Sequence, residues 1–485
     1  MKPGLFQQII LYRYRYAVGY TLFILFGVIM MTWQIRALGP GLAEPEKLSA
    51  LASATWQWEN WKEAGLQVVN LPYLLLQKAS IAAFGLSAFS VRLPSITLGL
   101  ATSALFFCLM RLMHRSHVAL AASVLFAASS WYIAVGRLGA PLIMIPFVWV
   151  LLTYSFVRLI RLDDPPLAWA ALGGLSAALA LYTPYGMYGI LSAALILGIH
   201  PEIRRRLGAL TGQQVALALF IFIPMLVPLG WGLFKDTGQL WALSGLSSTI
   251  PSPADFVQNI GHAISAIAWK APALPMLRLD DLPLMSVGAI ALLLAGVYRA
   301  LRDWRSMRTQ FILFSTLVII LLLGMNPKQQ DFAVLVVPCY MLIASGITVL
   351  FREWYKLFPR NPYARSFGLI PIVVFLSFIV VYHYQRYFVA WANAPQTYHA
   401  YNTDLDLVRD QLGTRPNLAI SVPEQEVAFY QVLVRKFPEA SVSTTPKPDQ
   451  PLLVRQGLST PAETTVSPVV NEDTNDAIRF WLVLP

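Results

Sequence analysis

Acidic side chains are concentrated in residues 39–62, "GPGLAEPEKLSALASATWQWENWK", although apolar runs lie on both sides of this stretch. Glu44 and Glu46 carry carboxylates, and a carboxylate can take a proton from a hydroxyl group that attacks a substrate. The same two acids are typical of a helix start, because Pro45 suits the first turn and acids favour the positive end of the helix dipole. The residue types therefore leave open whether this stretch is a functional site or a solvated loop.

Three tryptophans follow the two acids, and two further acids lie among or just after them: Trp56, Trp58, Trp61, Glu59 and Glu63. A tryptophan ring can stack on a sugar or line a groove for an acceptor. Tryptophan is also enriched at the two interfaces between membrane and water. Both interpretations of the tryptophans stay open at the level of sequence.

The composition requires a membrane environment for these residues. Hydrophobic residues make up 56% of the 485 positions and charged residues only 13%, too few to cover the surface of a soluble protein of this size. The apolar residues fall in blocks long enough to cross a hydrocarbon core of about 30 Å. A polytopic all-α membrane protein is therefore predicted, because an open sheet cannot satisfy its backbone in lipid.

The hydropathy pattern predicts about eleven transmembrane helices, and the first of them is interpreted as a helix rather than a cleaved signal. The predicted spans are 17–34, 93–111, 118–135, 141–158, 167–182, 185–199, 214–234, 284–300, 310–325, 331–351 and 367–382. Two connections are long, at residues 35–92 and 235–283. Within the first, we expect 44–52 and 73–84 to form short helices that lie on the membrane surface.

Basic residues alternate between the two sides of these spans, and this alternation predicts the orientation. One side carries Lys2, Arg13, Arg15, Arg111, Arg115, Arg158, Arg161, Arg204, Arg205, Arg206, Arg299, Arg302, Arg305, Arg308, Arg352, Lys356, Arg360 and Arg365. The short connections on the other side carry little beyond Arg137 and Lys328. The N-terminus is therefore predicted to be cytoplasmic, with both long loops outside. The formal net charge of +11 follows from this arrangement, so no nucleic-acid partner is predicted.

The chain after residue 382 has a different character. Residues 404–437 alternate a helical pattern, the short strand "LAISV" and a second helical pattern, and the final "AIRFWLVLP" has the composition of a strand. The sequence thus predicts a transmembrane domain at 1–382 and a small extracytoplasmic α/β domain at 383–485.

Metal and disulfide chemistry find no support in the residue spacing. Cys108 and Cys339 both lie inside apolar runs, which argues against a structural disulfide. His262 and His383 have no neighbours at the spacing of metal ligands. We therefore predict no metal site, and no cofactor is implied.

Several short motifs between residues 40 and 190 occur in a fixed order. They are "EPEKLSALA" at 44–52, "NLPYLLLQKASIAAFG" at 70–85, "VRLPSITLG" at 91–99, "SSWYIAVGRLGAP" at 129–141 and "LYTPYG" at 181–186. On these motifs the chain resembles family 39 glycosyltransferases of the GT-C superfold, which include protein O-mannosyltransferases and aminoarabinose transferases. In this resemblance, Glu44 takes the place of the family's catalytic Asp and Pro45 that of the following Glu. Asn70 replaces a His, and Gly139 and Ala140 stand where an acid often follows the Arg.

The resemblance implies an inverting membrane transferase in the inner membrane of a prokaryote, with its active face outside the cytoplasm. The donor would be a sugar on a polyprenyl phosphate, and the acceptor a glycan, lipid or protein. Glu44 would be the base, with Glu46 as the second candidate. Substrate contacts are expected from Arg137, Arg92, Asn70, Tyr182, Tyr185 and Trp56. Arg137 and Arg92 would hold phosphate, although arginines at span ends also extend to lipid headgroups.

Two other classes of protein remain possible from sequence. A GT-C-like protein without catalytic activity could bind the carrier lipid or assemble with a partner, and the departures at Glu44 and Asn70 favour this alternative. A transporter or lipid flippase is less favoured, because charges avoid the centres of the predicted spans.

Overall fold

The structure is a computed structural model of the 485-residue chain. It describes residues 14–35, 41–56, 67–161, 165–246, 250–272, 278–279, 281–325, 329–357, 362–401, 405–445, 450–458, 465–469 and 480–484.

Helices dominate the part of the chain before residue 400, and at least one lies in each of the eleven segments that hydropathy predicts as spans. The helices are α1 Arg15–Thr32, α2 Glu44–Thr55, α3 Leu71–Phe84, α4 Ala88–Met113, α5 Ser116–Ala128, α6 Ser130–Arg137, α7 Met144–Arg161, α8 Leu167–Tyr182, α9 Gly186–Ile199, α10 Pro201–Gly208, α11 Gly212–Lys235, α12 Gly238–Ser244, α13 Pro253–Ala268, α14 Val287–Arg302, α15 Met307–Met325, α16 Val336–Leu357, α17 Pro362–Gln385 and α18 Pro395–Ala400. Short 3-10 turns cover Pro141–Ile143 and Gln329–Leu335, and a π-helix covers Arg386–Trp391.

Among the described residues, six helical stretches are long and apolar enough to cross a membrane singly. These are Ala88–Met113, Pro141–Arg161, Gly212–Lys235, Arg308–Met325, Phe332–Leu357 and Leu369–Trp391. Two bent pairs, α5 with α6 and α9 with α10, raise the number to as many as eight. The all-α polytopic fold is thus confirmed, whereas the count of eleven spans remains a prediction.

The predicted third span is broken where α5 ends and α6 begins, at a bend of 59°. Ser129 lies at this break with φ −57° and ψ 121°, and its hydroxyl accepts from the backbone N–H of Tyr132 at 3.4 Å. A serine in this position satisfies a backbone donor at the start of a new helix. The break redirects α6 and thereby places Arg137, its last residue, inside the bundle.

The helical core is built around α4, α5 and α6. Phe106 of α4 stacks on Phe126 of α5 with ring centroids 4.2 Å apart, and Tyr132 of α6 lies 4.1 Å from Phe126. Trp131 is fully buried in the same cluster. Aromatic pairs at this spacing contribute beyond the area they bury, so this cluster fixes α6 against its neighbours.

The C-terminal part is a small α/β unit, as the sequence predicts, and it contains a five-stranded sheet and two helices. The strands are β1 Ala419–Ser421, β2 Ser441–Ser443, β3 Leu452–Arg455, β4 Thr465–Val469 and β5 Phe480–Leu484, in the order β2-β1-β3-β5-β4. β1 pairs in parallel with β2 and with β3, and β5 runs antiparallel to β3 and β4. The helices are α19 Leu405–Thr414 and α20 Glu424–Val434. The extracytoplasmic location of this C-terminal domain remains a prediction.

This domain shares a buried apolar cluster with the first third of the chain. Leu42, Ala50 and Val91 pack in one cluster with Val408 and Tyr430 of the domain. The helical run that leads to the domain continues without interruption from α17 through the π-helix to Trp391. The predicted domain boundary at 383 therefore falls inside a continuous helical stretch, and it stays a prediction.

Candidate functional site

Gln77 of α3 is the centre of a buried polar network that joins α2, α3 and α4. Its Oε1 accepts from the hydroxyls of Ser49 and Ser53, each at 2.7 Å. Its Nε2 donates to the carbonyls of Val91 at 3.0 Å and Gly139 at 2.9 Å. Gln77 has no exposed surface, and each of its polar atoms has two partners. We call this end of the bundle, marked by Arg92 at the start of α4, the Arg92 end.

Glu46 and Arg92 form a buried ion pair beside Gln77. The guanidinium of Arg92 donates from Nε at 2.9 Å and from Nη2 at 3.1 Å, one bond to each carboxylate oxygen. The carboxylate also accepts from the backbone N–H of Ala43 at 2.9 Å and of Gly139 at 2.7 Å. Four donors occupy the roughly four acceptor positions of a carboxylate. This arrangement favours a structural role for Glu46 over a role as base.

Gly139 has space for no side chain. A Cβ atom there would lie 2.7 Å from Cγ1 of Val91 and 3.0 Å from Oε1 of Glu46. In this chain the backbone N–H of Gly139 serves Glu46 directly, so the close packing gives a physical reason for the glycine.

Arg137 lies at the same end, with 5% of its surface exposed. Its guanidinium carbon is 5.6 Å from the ring centre of Tyr387 and 5.3 Å from that of Phe388, both in the π-helix. Of the described residues, only the carbonyl of Met30 accepts a hydrogen bond from it, at 3.4 Å. The described part of the chain supplies Arg137 with no acidic partner within ion-pair distance.

Tyr401 completes the surroundings of the two arginines. The guanidinium carbon of Arg92 lies 5.6 Å from the centre of its ring. Burial raises the pKa of Tyr401 well above its usual range, and the negative charge of Glu46 raises this pKa further. Tyr401 is therefore a neutral phenol at physiological pH and adds no charge. The net charge of Glu46, Arg92 and Arg137 together is +1.

Glu44 points in a different direction from Glu46. Its side chain is 64% exposed and pairs with Lys47 at 2.7 Å. Lys47 is buried and also pairs with Glu426 of α20 at 2.8 Å. Glu426 lies 3.4 Å from Arg455 in β3. The cation beside Glu44 is thus Lys47, and through it Glu44 is linked to the C-terminal domain.

The remaining candidate residues lie around the start of α3. The backbone N–H of Asn70, which has a φ of 57°, donates to the carbonyl of Tyr182 at 2.8 Å. The hydroxyl of Tyr182 donates to the carbonyl of Met225, and that of Tyr185 to the carbonyl of Gly245 at 3.1 Å. The two tyrosines are buried, so these contacts favour structural roles for them.

Trp56 caps the end of α2 and packs in the cluster of Tyr182. The ammonium group of Lys78 lies 5.2 Å from the centre of the Trp56 ring and donates to the backbone carbonyl of Trp56. Trp58, Trp61, Glu59 and Glu63 lie outside the described residues. Within the ranges that the structure describes, no three His, Cys, Asp or Glu side chains are grouped to hold a metal ion.

Five residues of this region were not predicted from the sequence: Gln77, Lys47, Tyr387, Phe388 and Tyr401. The last three follow the predicted end of the membrane domain, and nothing in their spacing indicates that they return to Arg137. Gln77 gave a weak signal, because a glutamine that interrupts an apolar helix face needs buried partners. The network therefore depends on contacts between distant segments.

Comparisons with known proteins agree on the fold. The family described as dolichyl-phosphate-mannose-protein mannosyltransferase matches residues 71–231, from α3 into α11. The crystal structure of ArnT from Cupriavidus metallidurans bound to undecaprenyl phosphate is similar, with a TM-score of 0.54 and 12% identity over 97% of each chain. Its apo structure gives a TM-score of 0.53 and 13% identity, over 96% of this chain and 98% of that one. No curated protein matches the sequence.

A second kind of structure shares the helical arrangement. The oligosaccharyltransferase of Archaeoglobus fulgidus, tethered with an acceptor peptide, gives a TM-score of 0.51 at 14% identity, over 89% of this chain and 64% of that chain. This protein is therefore an integral, multi-pass membrane protein with the GT-C glycosyltransferase fold.

Proposed function

We propose that this protein is an inverting glycosyltransferase that moves a sugar from a polyprenyl phosphate carrier to an acceptor hydroxyl. The acceptor belongs to a glycan, a lipid or a protein. The Arg92 end of the bundle is the active face in this proposal. The observation that carries it is the buried charge of Arg137, which has no acidic partner among the described residues, in a fold shared with a structure bound to undecaprenyl phosphate.

The charge balance at the Arg92 end supports a phosphate beside Arg137. Arg92 is neutralised by Glu46, whereas Arg137 has no acidic partner among the described residues. A buried charge is costly unless it is paired. A guanidinium forms strong, directional hydrogen bonds with phosphate oxygens, so the carrier phosphate would complete the pairing.

The transfer requires a group that accepts one proton. The acceptor oxygen attacks the anomeric carbon, the bond from that carbon to the phosphate oxygen breaks, and the carrier phosphate leaves with the electron pair. One displacement inverts the anomeric centre. The hydroxyl proton goes to Glu44, which is the carboxylate with exposed surface, whereas Glu46 already accepts from four donors.

Transfer of labelled sugar from defined polyprenyl phosphate donors tests both roles. In Glu44→Gln, we expect turnover to fall by about 10²–10⁴-fold with carrier binding retained, because the base is lost and the size is kept. In Arg137→Ala, carrier binding should weaken. Glu424→Gln is a matched control, since Glu424 is also an exposed acid in a first helical turn.

Full activity of Glu44→Gln would remove Glu44 as the base while leaving the proposed reaction class in place. Unchanged carrier binding by Arg137→Ala would place the phosphate elsewhere. Arg137→Lys separates charge from geometry, because a lysine keeps the charge and lacks the planar fork of donors.

The proposed orientation places the active face outside the cytoplasm of a prokaryote, in the inner membrane. It is supported by the distribution of basic residues between the two sides of the spans. Reporter fusions after Arg206 and at the C-terminus should report opposite sides of the membrane. Two cytoplasmic reporters would overturn this orientation.

A second candidate function is a carrier-binding subunit without catalytic activity. The ion pair of Glu44 with Lys47, which continues to Glu426, favours it, because a base must be available to the acceptor. The carboxylate of Glu46 already accepts four hydrogen bonds, and this also favours a subunit without catalytic activity. Carrier binding without turnover from any sugar donor would favour this function over transfer.

A further inference from the structure

A cavity of about 520 Å³ opens at the opposite end of the bundle. Met113, the last residue of α4, lies in its wall, whereas Arg92 lies near the first residue of the same helix. The rise of an α-helix separates these two positions by about 30 Å, the thickness of a hydrocarbon core. We call this end of the bundle the Met113 end. The cavity is therefore separate from the site proposed above.

The walls of the cavity are mainly apolar. They are formed by Met113, Phe156, Val157, Ile160, Ile196, Ile203 and Phe311. A bend of 106° between α9 and α10 turns α10 across the ends of the longer helices. Ile203 of α10 is thereby buried against Ile196 and Phe311, and α10 closes one side of the cavity.

The polar part of the lining is basic. Arg161, Arg206 and Arg308 line the cavity with a single acid, Glu202, which gives these four side chains a net charge of +2. Glu202 is engaged by Arg205 at 3.1 Å and by Arg206 at 3.0 Å. Asp163 and Asp164, which follow Arg161 in the sequence, lie outside the described residues.

Two of the arginines also have structural contacts. Arg206 donates to the carbonyl of Ile160 at 3.1 Å, and Arg308 donates to that of Met113. Such bonds satisfy carbonyls at helix C-termini. Arg161 is exposed, and the described part of the chain gives it no hydrogen-bond partner. Helix capping therefore does not explain all the basic residues of the lining.

The local potential at this end is positive. Burial together with the charges of Arg308 and Arg299 lowers the pKa of His114 to about 3. Its ring is therefore neutral at physiological pH, and it contributes no positive charge. Arg299 pairs with Asp303 at 3.5 Å. An anion would be attracted to the cavity, and the apolar walls would contact a hydrocarbon chain.

We propose that this cavity binds an anionic phospholipid of the membrane, with the phosphate between Arg161 and Arg308 and an acyl chain against the apolar walls. A lipid fits better than a soluble anion, because apolar residues make up most of the lining and the cavity lies at the end of membrane-spanning helices. Basic side chains near an anionic membrane surface each favour binding by about fivefold.

The test uses the full-length protein, purified in detergent and delipidated. Native mass spectrometry compares retention of phosphatidylglycerol with that of phosphatidylcholine carrying the same acyl chains. We expect phosphatidylglycerol to be retained preferentially, and Arg161→Gln or Arg308→Gln to reduce the preference by about fivefold each. Arg204→Gln is the matched control, because Arg204 lies on α10 and does not line the cavity.

Equal retention of both lipids, or an unchanged preference in Arg161→Gln, would overturn the proposal. Displacement of phosphatidylglycerol by millimolar inorganic phosphate would assign the cavity to a soluble anion instead. If Arg308→Gln does not fold, Arg308→Lys keeps the charge and should retain the preference. A photoactivatable phosphatidylglycerol should label residues 156–161 or 196–206 of the unaltered chain, and labelling only elsewhere would contradict the proposal.

Discussion

The two ends of the helical bundle both combine arginine with glutamate, yet they use the pair differently. At the Arg92 end, Glu46 and Arg92 have side-chain exposures of 0% and 3%, and the carboxylate has four donors. At the Met113 end, Glu202 and Arg206 have side-chain exposures of 39% and 33% and line an open cavity. The first pair holds segments together, whereas the second leaves positive charge accessible. Residue type alone therefore does not distinguish a structural pair from a binding site.

The largest effect is expected from truncation of the buried pair. Glu46→Ala leaves Arg92 buried without its partner and removes the acceptor of two backbone N–H groups. Breaking a buried pair in this way costs about 3–5 kcal/mol. We expect a large drop in the midpoint of unfolding in detergent, as measured by tryptophan fluorescence.

Glu202→Ala at the Met113 end is the control for this change. Its pairs with Arg205 and Arg206 are partly exposed, and water replaces the lost contacts. The unfolding midpoint should change little. Equal loss of stability in the two variants would show that burial does not separate the two ends.

An intermediate effect is expected from Gly139→Ala. The added Cβ would lie 2.7 Å from Cγ1 of Val91. The backbone of Gly139 also donates to Glu46 and accepts from Gln77, so both contacts would be disturbed by a shift there. Overpacking of a tight site costs about 1–3 kcal/mol. The control is Gly27→Ala in α1, where no atom lies within 4 Å of the new Cβ and where alanine favours the helix. A tolerated Gly139→Ala would mean that α4 and the loop after α6 can separate without cost.

Features that depend on neighbouring residues could be predicted from the sequence, whereas features that depend on contacts between distant residues could not. Long apolar runs predict helices, and a helix lies in each predicted segment, because length and hydropathy are local properties. The start "AEPEK" predicts α2 correctly, and both acids fit its first turn. Which acid faces inward depends on Arg92 and Gly139, which are distant in sequence. The break at Ser129 is equally hidden, since the apolar pattern continues across it.

The same limit applies to the basic residues. The alternation of arginines predicts two sides of a membrane, and it treats Arg137 and Arg161 as topological markers. The structure buries Arg137 against Tyr387 and Phe388 and leaves Arg161 in the wall of a cavity. These different surroundings arise from the π-helix and from the bend before α10, and neither has a sequence signal in the arginines themselves.

The smallest effect on stability is expected from Arg161→Gln, and this variant tests the comparison most directly. Arg161 is exposed and has no hydrogen-bond partner in the described part of the chain, so its loss should change the free energy of unfolding by no more than about 0.5 kcal/mol. The preference for anionic lipid should nevertheless fall, because one of three cavity arginines is removed. The unfolding midpoint is measured in detergent without added phospholipid, where a bound lipid cannot contribute. A loss of stability comparable to that of Glu46→Ala would show that Arg161 holds the bundle together, and the two ends would then share one structural role.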